Sequence, residues 1–199
     1  MRKIIFAAFS FAVFSLILFV QLSCTQHEEN KPLTQAEMIA LGKYIVHTGG
    51  CDDCHTPKIF TEKGPVFDTT RSLSGFPTGE VLASIDMDMI KPGNWILGDK
   101  HLGAWAGPWG ISYASNLTPD KATGIGTLTE ELFIKTLREG KYMSVGRPLL
   151  PPMPWEVIAK KTDEDLKAIY AYLMSIKPIN NLVPQPTPPD KVAELLGKK

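Results

Sequence analysis

The chain has few cysteines and no excess of charge of either sign. Only three of its 199 residues are cysteines and four are histidines, and 21 basic side chains balance 21 acidic ones. Balanced charge argues against nucleic acid as a partner, because nucleic-acid binding normally needs a basic surplus. A zinc site usually takes about four ligands from two Cys/His pairs. The chain has no second close pair of cysteines, and His27, His47 and His101 are scattered, which argues against zinc.

One close pair of cysteines remains to be explained. Cys51 and Cys54 are separated by two residues, and His55 follows directly. A C-x-x-C-H run is the attachment site of a c-type haem. We expect the two sulfurs to form thioethers with the haem vinyl groups and the His55 Nε2 to bind the iron. The predicted cofactor is therefore one covalent haem c with its iron.

Two other interpretations of the cysteine pair are weaker. A redox dithiol is favoured by positive charge that lowers the thiol pKa, whereas Asp52 and Asp53 place negative charge between the sulfurs. A structural disulfide between residues this close would leave His55 without a role.

The N-terminus resembles a bacterial lipoprotein signal. Arg2 and Lys3 precede an uncharged apolar run over 4–20, and Leu-Ser-Cys ends at Cys24. We expect a signal peptide over 1–23, cleaved so that Cys24 becomes the lipidated first residue. A retained membrane anchor and a fully released form are the alternatives, since the apolar run is almost long enough to cross a bilayer. Each of the three places the domain on the periplasmic side of a bacterial membrane.

The rest of the chain divides into a tether over 24–32, a domain over 33–180 and a proline-rich C-terminal tail over 181–199. Thr34 and Glu37 form a capping box that predicts a helix ending near His47. A second helix is predicted from Thr129 to about residue 137, and a third from 162 or 163 to about 176, before Pro178. A short helix over 190–196 is a weaker expectation.

The segment between His55 and Thr127 shows no sustained periodicity and is rich in glycine, proline, tryptophan and phenylalanine. A structureless loop of that length is unusual inside a compact domain. A haem offers a core around which such loops can wrap. Short strands or short helices are possible within 81–92, and the sequence does not decide between them.

The sixth iron ligand is predicted to be Met153. Prolines precede and follow it at 151, 152 and 154, and their fixed φ makes the segment stiff. A thioether on the distal side favours the ferrous state and raises the haem potential, which suits electron transfer. Met143 is the nearest competitor, His101 would give a bis-histidine iron, and an open sixth position would bind small molecules. Arg147 either bonds a haem propionate, because a guanidinium suits a carboxylate, or is a solvated loop charge.

The order of helix, C-x-x-C-H, helix, methionine loop and closing helix resembles class I cytochromes c. The resemblance covers roughly 33–180. Within the class I family, the chain is most similar to the haem modules of envelope-bound bacterial cytochromes, which include cytochrome subunits of membrane dehydrogenases. The matching motifs lie at 115–120, 124–126, 146–148 and 153–154. The resemblance implies an all-α class I fold with at least three helices around the haem and long loops. It further implies that the first and last helices cross near the haem and that residues 116–120 line its pocket.

The expected role is that of an electron carrier rather than an enzyme. A monohaem cytochrome c would pass single electrons between a donor and an acceptor, such as a dehydrogenase, an oxidase or another cytochrome. A haem subunit of a larger oxidoreductase is the first alternative, and a five-coordinate haem enzyme or sensor is the second. The dehydrogenase subunits that the chain resembles carry several haem motifs, whereas this chain carries one.

Overall fold

Six α-helices, two small sheets and three short 3-10 helices form residues 31–196, the part of the chain that this computed structural model describes. The predicted signal peptide, Cys24 and the tether as far as residue 30 lie outside the described residues, as do residues 197–199. The helices are α1 (Gln35–Thr48), α2 (Cys51–His55), α3 (Glu130–Glu139), α4 (Trp155–Ile158), α5 (Asp163–Ser175) and α6 (Pro189–Leu196).

The strands fall in the segment that sequence patterning left without assignment. A hairpin pairs β1 (Lys58–Thr61) with β2 (Gly64–Phe67), and a three-stranded antiparallel sheet has the order β3-β4-β5. Its strands are β3 (Leu97–Gly98), β4 (Ala104–Gly107) and β5 (Gly110–Tyr113). The 3-10 helices are Thr69–Arg71, Met87–Ile90 and Tyr142–Ser144. The expected all-α class is therefore incomplete, because it accounts for the helices and omits the strands. Strands of two to four residues are too short to show an alternation of apolar and polar residues in the sequence.

The three main predicted helices are confirmed, and their ends lie where the capping signals placed them. At α1, Thr34 Oγ1 accepts a hydrogen bond from the Glu37 backbone N–H at 3.3 Å, and the Glu37 carboxylate accepts one from the Thr34 N–H at 2.8 Å. Thr162 makes the same reciprocal box at α5, and Thr129 caps α3. Side chains thus satisfy N–H groups that the first helical turns leave without partners.

Helices α1 and α5 cross in direct backbone contact. A Cβ atom added at Gly42 would stand 1.8 Å from the carbonyl oxygen of Ala168 and 2.8 Å from the Tyr172 Cβ. Only glycine allows so close an approach. Around the crossing lies the larger core cluster, whose buried members are Ile45, Val46, Leu73, Ile125, Phe133, Leu137, Leu166, Ile169 and Leu173.

The C-terminal segment packs against the three-stranded sheet. Thr187 and Ile111 exchange two backbone hydrogen bonds of 2.8 and 2.9 Å. Val192 and Leu196 of α6 are 0% and 3% exposed and belong to a second core cluster with Phe76, Ile90, Ala104, Ala106 and Ile111. Residues 181–196, which sequence patterning assigns to a tail, are therefore built into the fold. Within residues 31–196 no helix combines the length and apolar character needed to cross a membrane.

Candidate functional site

Helix α2 presents the three residues of the cysteine–histidine run to a single cavity. Cys51, Cys54 and His55 occupy positions i, i+3 and i+4, which share one helix face, and all three line the cavity. Gly50 precedes the helix with a left-handed φ of 75°, a conformation that suits glycine. The Lys58 Nζ donates hydrogen bonds to the carbonyls of Asp53 and Thr56 at 2.8 and 2.7 Å, so it holds the C-terminal end of the helix.

The cavity wall is built mainly from aliphatic and aromatic side chains. It draws on α3, α4, β4, β5, the segment 147–154 and the C-terminal segment. Its apolar members include Trp105, Leu117, Ile125, Leu128, Phe133, Leu137, Leu149, Leu150, Ile158 and Pro186. An apolar ring system would lose water-exposed surface on entering such a space, which is the main driving force for binding it.

His55 is arranged as a neutral ligand. Its Nδ1 lies 2.7 Å from the backbone carbonyl oxygen of Ser115. Because a carbonyl can only accept, Nδ1 carries the hydrogen, and Nε2 keeps its lone pair free for a metal. Burial lowers the pKa of the His55 imidazole, against the raising effect of the Ser115 hydrogen bond. The imidazole therefore stays unprotonated, as metal ligation requires.

The two thiols are poorly suited to redox-dithiol chemistry. Burial is the main cause that raises the pKa of the Cys51 thiol to about 11, and the charge of Asp52 adds to it. Burial followed by the charge of Asp53 raises the pKa of Cys54. Reactive dithiols need a lowered pKa. Within residues 31–196 no three His, Cys, Asp or Glu side chains cluster in a way that could hold a metal ion.

Met153 lines the same cavity, together with its neighbours Pro152 and Pro154. The Ser112 hydroxyl, on β5, lies 2.5 Å from the Pro151 carbonyl oxygen and holds the segment against the sheet. The Trp155 N–H donates to the Met153 carbonyl at 2.9 Å, where α4 begins. The structure thus brings together all four side chains that sequence reasoning selected; their ligand roles stay predictions.

The two competing ligands lie elsewhere. Met143 is absent from the cavity wall and is 41% exposed. His101 is buried away from the cavity, where its Nδ1 accepts from the Lys58 N–H at 3.1 Å and its Nε2 lies 3.5 Å from a Glu80 carboxylate oxygen. His101 is absent from the cavity wall, so a bis-histidine iron through this residue has no support in the fold.

Residues 116–120 contribute less to the pocket than the resemblance implied. Of these five described residues, Leu117 is the one on the cavity wall. Asn116 is 2% exposed, and its side-chain amide donates to the Ile179 carbonyl at 2.8 Å, while its Oδ1 accepts from the Thr118 N–H at 3.0 Å. Asn116 and Thr118 therefore connect the chain after α5 to the loop that carries Ser115. They support the cavity wall without lining it.

Two contributions to the site were missed from the sequence. The Ser115 carbonyl is a backbone group, which residue identity cannot reveal. Asp52 was treated only as an unfavourable charge, yet its carboxylate lies 2.5 Å from the His47 Nδ1 and accepts from the Thr56 hydroxyl at 2.7 Å. His47 Nε2 in turn lies 2.9 Å from the Tyr172 hydroxyl. Asp52 therefore connects α2 to the end of α1 and to α5.

The residues around the cavity fit a c-type haem. Two free thiols at thioether spacing, a neutral imidazole with an available Nε2, a methionine and an apolar wall face one space. This donor set is the one that a covalent haem with His/Met ligation requires.

Comparison with known proteins agrees with this chemistry. The chain is 44% identical over 78 residues to a fructose dehydrogenase cytochrome subunit of Gluconobacter japonicus. It is 46% identical over 69 residues to a gluconate 2-dehydrogenase cytochrome c subunit of Pantoea cypripedii. A cytochrome c subunit of a quinone-type alcohol dehydrogenase from Gluconacetobacter polyoxogenes is 29% identical over 179 residues. The chain is a relative of bacterial dehydrogenase cytochrome c subunits.

These matches cover only part of each relative. The first two extend over 39% and 35% of this chain and over 16% and 15% of the respective relatives, and the third covers 89% of this chain and 29% of its relative. The relationship therefore concerns a cytochrome c module and not a whole dehydrogenase subunit. No protein-family model matches the chain.

Proposed function

We propose that the chain is a monohaem cytochrome c that passes single electrons. The haem supplies reversible one-electron chemistry at its iron. Cys51 and Cys54 would attach it covalently, His55 and Met153 would hold the iron, and the apolar wall would limit the access of water. The single observation that carries the proposal is that these four side chains line one apolar cavity.

The relatives favour a role as the haem subunit of a larger oxidoreductase over that of a free shuttle. Their names describe cytochrome subunits of fructose, gluconate and alcohol dehydrogenases. We infer that the electron donor of this chain is a dehydrogenase catalytic subunit and that the chain itself transforms no substrate. Copurification from the native host tests this: a dehydrogenase retained at stoichiometric level supports the subunit role, and a chain that elutes alone supports the shuttle.

Absorption spectroscopy tests the ligation. The ferric protein should show the weak band at the red end of the spectrum that a methionine thioether gives, and Met153→Ala should lose it and lower the reduction potential. Met143→Ala is the matched control, since Met143 lies off the cavity wall, and it should retain the band. A wild-type ferric spectrum that is high-spin and responds to cyanide would instead indicate the five-coordinate enzyme or sensor.

We further propose that the chain is held at the periplasmic side of a bacterial membrane by a lipid on Cys24. The support is the signal-like sequence over 1–24 together with a cofactor that bacteria attach outside the cytoplasm. Growth with a radioactive fatty acid should label the wild type and not Cys24→Ser. Equal labelling of both would remove the lipid anchor, and a chain that stays in the membrane without label would point to a retained helix.

A further inference from the structure

Among residues 31–196, a single formally charged side chain, that of Arg147, lies on the cavity wall. This matters because a haem brings two propionate carboxylates, and its vinyl groups and propionates lie on opposite edges of the porphyrin. Cys51 and Cys54 define the vinyl edge, so the carboxylates need partners elsewhere on the wall. Burying a carboxylate without a partner is costly.

Arg147 uses few of its hydrogen-bond donors within the described residues. Within residues 31–196 it makes no ion pair with any carboxylate, and its hydrogen bond there runs from Nη1 to the neighbouring Pro148 carbonyl at 3.2 Å. Its guanidinium lies 5.3 Å from the centre of the Tyr142 ring. A guanidinium has five N–H donors in a fork that matches a carboxylate. Burial lowers the pKa of Arg147, which reflects the cost of a partly buried charge without a counter-ion.

The loop that carries Arg147 is held firmly in a strained form. Met143 and Ser144 both have left-handed φ values, 48° and 62°, a conformation that is unfavourable for non-glycine residues. The Tyr142 N–H donates to the Arg147 carbonyl at 2.8 Å, and the Gly146 N–H donates to the Tyr142 carbonyl at 2.9 Å. A strained backbone conformation persists only where many surrounding contacts hold it in place, and such conformations are common at ligand-binding sites.

We propose that Arg147 is the carboxylate-binding residue of the cavity, where it pairs with a haem propionate. The inference rests on the proposed haem site and deepens it. Cys51 and Cys54 would hold the vinyl side of the cofactor at α2, and Arg147 would hold a carboxylate at the loop that follows α3. It also places a positive charge beside the redox centre, which disfavours the more positively charged ferric state and so raises the reduction potential.

The reduction potential as a function of pH tests the pairing. Full-length holoprotein is titrated spectroelectrochemically between about pH 5 and 8, a range in which an unpaired, partly buried propionate titrates. The wild-type potential should change little over this range. Arg147→Gln should have a lower potential at neutral pH, and the potential should rise as the pH falls. In Arg147→Gln the propionate that titrates with the redox change should bind its proton at least tenfold more tightly than in the wild type. Its pKa should therefore be higher by about one unit or more.

Arg71→Gln is the matched control, because Arg71 pairs with Asp68 at 2.7 Å and is not on the cavity wall. It should behave as the wild type does. An Arg147→Gln profile that coincides with the wild type and with the control would overturn the proposal. Failure of the haem site itself is recognised separately, since an alkaline pyridine spectrum of the wild type would then lack covalent haem.

A variant that retains the charge covers the case in which Arg147→Gln yields no holoprotein. Arg147→Lys keeps one positive charge and loses the fork, so the potential should stay near that of the wild type. With ¹³C-labelled propionates, the redox-induced infrared carboxylate band should shift between wild type and Arg147→Lys. An unchanged band would overturn the proposal.

Discussion

Replacing Gly42 with alanine should destabilise the protein although alanine is the better helix former. In an exposed helix the change would gain about 1 kcal/mol. Here the new Cβ would stand 1.8 Å from the Ala168 carbonyl oxygen and 2.5 Å from its carbonyl carbon. Both are backbone atoms of α5 and cannot rotate away, so α1 and α5 must separate by more than about 1 Å to restore an ordinary contact.

The separation opens a fully buried part of the core. Val46 and Leu166 are 0% exposed and Leu173 is 2% exposed around the crossing. Overpacking of a core costs about 1–3 kcal/mol when side chains adjust, and a backbone clash belongs at the upper end. After the helix-propensity gain of about 1 kcal/mol, the free energy of unfolding should fall by about 2 kcal/mol.

Urea denaturation followed by far-ultraviolet circular dichroism measures this loss. Ala40→Gly, at an exposed position of the same helix, measures propensity alone and should cost about 1 kcal/mol. A Gly42→Ala variant that is as stable as the wild type, or more stable, would refute the close crossing.

Two further predictions concern the C-terminal helix and the loop after β2. Leu196→Ala should lower the free energy of unfolding by about 2–3 kcal/mol in urea, because Leu196 is 3% exposed, whereas Leu195→Ala, at 53% exposure, should change it little; equal effects would contradict the packing of α6. Hydrogen bonds from Thr70 and then from Arg71 lower the pKa of Asp68 below 3.8 in the folded state. This contribution to stability is therefore present above the unfolded pKa and lost as the pH falls below about 4. Asp68→Asn should be less stable at neutral pH and should lose less stability than the wild type during acid unfolding; parallel acid curves would contradict this.

Local signals were sufficient for the helices that flank the site. Thr34 with Glu37 marks a helix start because a side chain three residues away satisfies a free backbone group, and the acidic residues after Thr162 suit a helix N-terminus. The predicted haem attachment motif is equally local, since two thiols and an imidazole must share one short helical face. The strands gave no comparable signal. β3 to β5 are two to four residues long, and their partners lie across turns or, for Ile111 and Thr187, far along the chain.

The amino-acid sequence by itself was enough to predict a haem attachment run, a stiff methionine segment and three capped helices. All of these depend on residues that are close together in the chain. Only the tertiary structure decided which methionine reaches the cavity, that His101 does not, and that the Ser115 carbonyl sets the His55 tautomer. It also brought Pro186 of the C-terminal segment to the cavity wall. These outcomes depend on contacts between residues tens of positions apart, which spacing and composition do not encode.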